Sequence, residues 1–263
     1  MTAHGGSIEE AGNQSEKTEF QLNDQIKEGV RLYSQKDWQG AIEEFLAADT
    51  KQFIHDERIE HAYYLGLCYT KIKEYEKALS YLEQVVTSGT SSEASSGTSS
   101  EASRGNDIYR VYQCRMTLAY IYVITKRVKM AEYELRRLQS SGLESPLLYN
   151  TLAYAAWMQK QNKNAIDLYE KTLEIDSDNA TAMNSMGYIL ADTGKDTMRA
   201  LSLCRKAVDF RPHSAVYLDS LGWAYYKSGD ILEARTWLRR ALEIAPNEEE
   251  IKNHFKIVSG VCA

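Results

Sequence analysis

The chain has 263 residues, of which 43% are hydrophobic and 26% are charged, a composition typical of a globular protein that can bury a core. Its formal net charge of -6 argues against nonspecific binding to nucleic acid, because neutralising phosphates requires a basic footprint, and equally against a polybasic membrane surface. The sequence has no run of about 18 apolar residues, which predicts that no helix inserts directly into a membrane.

The amino-terminal residues 1–19 are polar, contain Gly and Ser, and show no apolar periodicity, so we predict a disordered polar tail. The first residues are neither basic nor apolar, and no signal peptide is predicted in this chain. A protein from which an export signal had been trimmed would look the same. The localisation is therefore left open between the cytoplasm and the periplasm or cell envelope.

From residue 20 onwards, a pattern of small residues recurs along the chain. The first small residue of the pattern recurs as Gly29, Gly66, Ala119, Ala153, Gly187 and Gly222. A second small residue follows in each case, as Ala41, Ala78, Ala131, Ala165, Ala200 and Ala234. Four residues further on lies a larger side chain, namely Phe45, Leu82, Leu135, Tyr169, Cys204 or Leu238.

The separations between successive first small residues are 37, 53, 34, 34 and 35, and a period near 34 is typical of a helix–turn–helix repeat. Small side chains allow the two antiparallel helices of one repeat to approach closely. Since no single pair can bury its apolar face alone, stacked neighbours are expected to form one continuous core. We predict two units in residues 20–86 and four units in residues 107–246.

The separation of 53 residues contains an insertion, which we predict to be a Ser/Gly-rich loop over residues 87–106. The octapeptide SGTSSEAS occurs here twice in succession, at 88–95 and 96–103. Such a polar, low-complexity segment is flexible. It is either a tolerated surface insertion or a functional tether or docking site, and it would leave units one and two partly independent of units three to six.

Residues 247–263 are predicted to form a capping helix and a short tail. Asn247 is expected to cap this helix, and Ile251, Phe255 and Val258 give it one apolar stripe. An end unit of a stacked array needs such a helix to cover its apolar face.

The stretch LDSLGWAYYKSGDILEARTWLRRALEIAP, residues 218–246, resembles the tetratricopeptide repeat, and six similar units cover roughly residues 20 to 246. Units five and six, with GYILADTGKDTMRAL in the fifth, are most similar to bacterial members of the family. The resemblance implies an all-α, right-handed α-solenoid. It also implies that the first helix of each pair lines a concave groove that binds other polypeptides.

On this resemblance, the groove positions of units three to six carry an aromatic ladder with polar residues beside it. We predict that the partner contacts Tyr120, Asn150, Tyr154, Trp157, Asn184, Tyr188, Asp219, Trp223 and Tyr226. Asn side chains can bond both the N–H and the C=O of an extended peptide, while Tyr and Trp are enriched at binding hot spots. The alternative is that these rings simply pack on the neighbouring repeats.

The predicted function is that of a non-catalytic scaffold or adaptor that holds a protein or an extended peptide in this groove. The alternative is a structural protein that assembles into homo-oligomers, possibly associated with the cell envelope. No metalloprotease, nucleophile-elbow, phosphate-loop or dinucleotide motif is present, so no enzyme activity and no cofactor are predicted. The four cysteines form no CxxC pair and are interpreted as lone thiols.

Overall fold

The computed structural model describes residues 24–92 and 101–260, and this part of the chain folds into thirteen α-helices and one short 3-10 helix, Thr50–Gln52. The helices are α1 (Asp24–Ser34), α2 (Trp38–Ala47), α3 (His55–Lys71), α4 (Tyr75–Ser92), α5 (Glu101–Ile124), α6 (Val128–Ser140), α7 (Pro146–Met158), α8 (Asn162–Ile175), α9 (Ala180–Thr193), α10 (Thr197–Phe210), α11 (Ala215–Ser228), α12 (Ile231–Ile244) and α13 (Glu249–Ser259).

The first twelve helices form six antiparallel pairs, from α1–α2 to α11–α12, and each pair packs on the next along the chain. The short turns within the pairs make neighbouring helices antiparallel, and the repeated packing produces an α-solenoid. The predicted all-α solenoid is confirmed.

The two helices of each pair cross at the small residues that the sequence pattern identifies. The six alanines at the second small position are all completely buried, and so are the first small residues Ala119 and Ala153. The larger side chain four residues beyond the second small residue fills the crossing. A Cβ on Gly29 would come 2.5 Å from the ring of Phe45, and one on Gly66 would come 2.6 Å from Leu82. The core prediction is thus confirmed at its central positions.

Local sequence signals set the turns between paired helices. Asp side chains begin the second helix in three units by accepting a bond from the backbone N–H three residues on: Asp37 from Gly40, Asp196 from Arg199 and Asp230 from Glu233. Gly194 and Gly229 end the first helices of units five and six with φ of 65° and 92°, in the left-handed region. Lysines hold that backbone conformation at the same turn in the first four units: Lys36, Lys73, Lys126 and Lys160.

The predicted loop over residues 87–106 is wrong at both of its ends. The helix α4 continues to Ser92 and α5 already begins at Glu101, while residues 93–100 lie outside the described residues. Extending an existing helix adds one hydrogen bond per ordered residue and requires no new nucleus. The Ser-rich sequence therefore follows its neighbours into helix at the margins of the insertion.

The final helix, α13, packs on α12 and α11 and closes the carboxyl-terminal end of the described solenoid. Ile251 and Val258 are buried under it and Phe255 is half-buried, as the apolar stripe predicts. The predicted cap at Asn247 is wrong, since the residue that flanks the helix is Glu248, whose side chain makes no capping bond.

The predicted amino-terminal tail, residues 1–19, lies outside the described residues. Among the helices that are described, none is both long and apolar enough to cross a lipid bilayer.

We expect Gly222→Ala to destabilise the protein. A Cβ there would lie 2.7 Å from Leu238 Cγ and 3.1 Å from the Leu238 backbone nitrogen, so the crossing helix itself must shift. Overpacking costs about 1–3 kcal/mol, while replacing a helical glycine by alanine gains about 0.5–1 kcal/mol. A lowered midpoint in urea unfolding is the expected result; a raised midpoint would show that helix propensity outweighs the close approach.

We expect the thiols of Cys68, Cys114 and Cys204 to be unreactive in the native protein. Burial raises the pKa of each of these thiols to about 12, so almost no thiolate is available at mildly alkaline pH. Peptide mass spectrometry after iodoacetamide treatment should show these residues unmodified until the protein is unfolded. Rapid native alkylation of any of them would contradict the packing described here.

Candidate functional site

The nine predicted partner-binding residues lie on α5, α7, α9 and α11, the first helices of units three to six, and their exposure falls along the solenoid. Tyr120 is 53% exposed and Tyr154 is 39% exposed, while Tyr188 is half-buried. Trp223, at the equivalent position of unit six, is only 8% exposed. The surface is thus open on units three and four and closes towards the carboxyl-terminal end.

The open part carries four aromatic rings, which we call the aromatic stripe: Tyr120, Tyr154, Trp157 and Tyr188. The rings of Tyr154 and Trp157 are tilted with their centroids 5.5 Å apart, and Trp157 meets Tyr188 edge-on at 6.2 Å. Trp157 is half-buried. Adjacent rings fix one another in position, so this surface offers contact area at a small cost in side-chain entropy.

Two asparagines lie one turn before the tyrosines of units four and five. Asn150 is half-buried and donates from Nδ2 to Asn179 Oδ1 at 3.0 Å, whereas Asn184 is 5% exposed. The side-chain oxygens of both Asn150 and Asn184 are buried and have no hydrogen-bond donor in the described part of the chain. Such an unpaired acceptor costs about 1–3 kcal/mol.

Helix α13 covers two of the residues predicted from unit six, Asp219 and Trp223. His254 Nδ1 lies 3.0 and 2.9 Å from the two carboxylate oxygens of Asp219, and the His254 ring stacks on Trp223 at 4.1 Å. Because a carboxylate only accepts, Nδ1 carries the proton that it donates. The prediction that Asp219 and Trp223 face an open groove is therefore wrong in this arrangement, since the capping helix occupies that space.

The third residue predicted from unit six, Tyr226, is half-buried and lies against Trp223, with ring centroids 5.1 Å apart. Trp223 Nε1 donates to Asp192 Oδ1 at 3.2 Å. Lys227 reaches the same carboxylate at 3.5 Å and lies 5.1 Å from the centroid of the Trp223 ring. Trp223 is thus engaged by the chain itself, through its ring nitrogen and its aromatic face.

The carboxylates of Glu250 and Asp192 lie near Tyr188, at the boundary between the open and the covered parts of the groove. The Tyr188 hydroxyl donates to Glu250 Oε1 of α13 at 3.5 Å. Burial is the main cause that raises the pKa of the Tyr188 hydroxyl, and the nearby carboxylates of Glu250 and Asp192 add to it. Carboxylates thus lie close to the hydroxyl at this end of the aromatic stripe.

Sequence reasoning missed His254, Glu250, Asp192 and Lys227. Asp192 lies one helical turn after Tyr188 and Lys227 one turn after Trp223, so helical spacing could have placed these two on the same face. The contacts of His254 and Glu250 depend on how α13 docks on the last repeat, and the periodicity of the repeats does not predict that docking.

A separate concavity of about 830 Å³ lies along α4 and is lined in part by His55, Arg58, Glu76 and Arg127. Arg127 pairs with Glu76, and Arg58 Nε donates to the Phe53 carbonyl at 3.0 Å. Both arginines of this concavity are thus already engaged by the chain itself. In the residues the structure describes, no three His, Cys, Asp or Glu side chains come together as metal ligands.

Comparison with known proteins agrees with the class that this architecture defines, a solenoid of paired helices. Models of the tetratricopeptide repeat family match residues 62–88, 147–179 and 215–248. These segments lie in units two, four and six, and the helix pairs between them repeat the same packing. These three segments of the chain are therefore tetratricopeptide repeats.

A TPR repeat-containing protein of Pseudomonas aeruginosa is 35% identical over 102 residues, which is 37% of this chain and 17% of that protein. The Cut9–Hcn1 hetero-tetramer of the APC/C contains a similar fold, with a TM-score of 0.63 at 14% identity over 89% of this chain and 42% of that one. YrrB, described as a TPR protein with an unusual peptide-binding site, matches with a TM-score of 0.52 at 20% identity over 84% of this chain and 97% of its own. At these identities the two structures show the fold alone.

We expect His254→Ala to loosen α13 selectively. The change leaves the buried Asp219 carboxylate without its donor, and unpairing a buried charge typically costs about 3–5 kcal/mol. Hydrogen exchange should become faster over residues 249–259 and remain unchanged in α7 to α10. Asn253→Ala, an exposed position on the same helix, is the matched control. Unchanged protection of α13 in the His254 variant would show that apolar packing alone holds the cap.

Proposed function

We propose that this protein is a scaffold or adaptor that holds an extended segment of a protein partner on the aromatic stripe. The repeat family and fold support a role in protein interaction in general. The finer proposal is carried by one observation: the three rings of Tyr154, Trp157 and Tyr188 remain accessible while forming a connected set.

The placement of the rings suits a peptide better than a small molecule. They lie on two successive first helices, α7 and α9, and Tyr120 on α5 extends the same surface, so a chain running across the helices could contact several rings in turn. Tyr and Trp anchors supply large buried area with few rotatable bonds. We therefore favour partner binding over the alternative that these rings only pack on the neighbouring repeats.

The asparagines support the same proposal. The unpaired side-chain oxygens of Asn150 and Asn184 are acceptors, and backbone N–H groups of an extended partner would supply donors once these side chains turn towards the groove. Supplying the missing donors would recover part of the free energy that an unpaired buried oxygen costs. Asp219 and Trp223 take no part in this proposal, because α13 covers them.

The accessible rings also decide which substitution is informative. Trp223→Ala would perturb the docking of α13, so the informative variant is the double substitution Tyr154→Ala/Trp157→Ala. We expect capture of partners from an extract of the source cells to weaken by about 2 kcal/mol or more, because two hot-spot anchors are removed. Tyr133→Ala, which removes a 56% exposed tyrosine from a second helix, α6, is the matched control.

Quantitative mass spectrometry of the captured proteins is the readout, and circular dichroism verifies that each variant keeps its helices. A set of partners retained equally by the double variant and by the control would rule out the aromatic stripe as the binding surface. Light scattering at several protein concentrations tests the alternative of self-assembly, which predicts a mass that rises with concentration.

A further inference from the structure

Units four and six each carry one Trp and one Tyr at the same two groove positions, in opposite order, and the two pairs differ in whether a cation contacts them. In unit six the pair is Trp223 and Tyr226, and in unit four the equivalent positions hold Tyr154 and Trp157. Both pairs are tilted, with centroids 5.1 and 5.5 Å apart. The repeat therefore presents one ring arrangement twice, and the two copies can be compared directly.

The pair in unit six already holds a cation. The Lys227 ammonium lies 5.1 Å from the centroid of the Trp223 ring and 3.5 Å from the Asp192 carboxylate. An aromatic face attracts a cation through its quadrupole, and a carboxylate beside it supplies the counter-charge. In unit six, therefore, the group that contacts both the aromatic face and the carboxylate is a side-chain cation.

The pair in unit four has no such partner. Met158 stands where unit six has Lys227, and in the described ranges 24–92 and 101–260 no lysine or arginine lies over the rings of Tyr154, Trp157 or Tyr188. Both tyrosines are accessible at least in part. The place that Lys227 fills in unit six is therefore open in unit four.

A counter-charge is available at the same end of the aromatic stripe. Asp219 is buried and accepts a hydrogen bond from His254, and Asp192 is paired with Lys227. Glu250 is exposed, and its hydrogen bond to the Tyr188 hydroxyl at 3.5 Å leaves its charge unmatched in the part of the chain described here. One full negative charge thus lies beside Tyr188, the last of the three rings that lack a cation, in a chain whose formal net charge is -6.

We propose that the rings of Tyr154, Trp157 and Tyr188, with the carboxylate of Glu250, bind a basic side chain, arginine or lysine, of the partner segment. This inference rests on the proposed function and adds to it the chemistry of the partner. An arginine is favoured, because its planar guanidinium can stack on one ring while it donates to the carboxylate. Charge then selects among extended segments that the rings alone would accept equally.

The test begins with selection of a random peptide library displayed on phage against the full chain. We expect the selected peptides to share an arginine or lysine at one aligned position. Replacing that residue by citrulline, or by glutamine where it is lysine, should weaken binding about 5- to 30-fold in fluorescence polarisation, the usual range for a cation–π contact with a nearby carboxylate.

Two neighbouring glutamates provide a matched pair of variants. Glu250→Gln should weaken the basic peptide severalfold and leave its neutral counterpart unaffected. Glu249→Gln removes the same formal charge one residue away, where the carboxylate pairs with Lys252 at 2.8 Å, and should change neither affinity. If both variants lost the same affinity for the basic peptide, the effect would come from the net charge of the protein, and the proposed contact would be overturned.

The outcomes separate this inference from the proposed function. Selected peptides that share no basic position, yet lose binding in the Tyr154→Ala/Trp157→Ala variant, overturn the cation site and leave the groove proposal standing. If every selected peptide binds that double variant undiminished, or if none is selected at all, both proposals are overturned. A citrulline effect that disappears in Glu250→Gln and persists in Glu249→Gln supports the cation site.

Discussion

The close crossing of two helices within each repeat is the contact on which the rest of this structure depends. Small residues face one another there, and Phe45 or Leu82 fills the space that the glycine opposite leaves free. Because the separation of the helices is set at this point, it also decides which of the remaining side chains face the next repeat, the groove or solvent. The aromatic stripe is a consequence of that geometry, repeated with the period of the sequence.

The end of the stack imposes a second constraint, which competes with the groove for the same surface. An unpaired last repeat would expose its apolar side, and α13 covers it by burying Ile251 and Val258. Arg235 of α12 fixes the far end of α13 by donating to the carbonyls of Val258 and Ser259 at 3.2 and 3.3 Å. In this position the cap also places His254 over Trp223, so the last unit contributes to stability rather than to an open binding surface.

Charge is distributed unevenly along the same face. At the capped end Lys227 pairs with Asp192, and the carboxylate of Asp219 accepts a hydrogen bond from His254. On the open side the hydroxyl of Tyr188 contacts the exposed carboxylate of Glu250, which has no ion-pair partner among the described residues. The covered and open parts of the groove therefore differ in their electrostatics as well as in their exposure, which is why the proposed partner is a basic segment.

The sequence by itself determined the repeat, the pairing of the helices and the central core positions. Those properties are local and periodic: Ala165 and Tyr169 must meet the preceding helix wherever a helix–turn–helix of this spacing forms. Tertiary structure decided which groove residues stay open, because the exposure of Asp219 and Trp223 depends on α13, whose docking belongs to no repeat. It also decided the helical margins of the insertion, since helix propagation from Ser88 onwards depends on the packed helix before it rather than on the Ser-rich residues themselves.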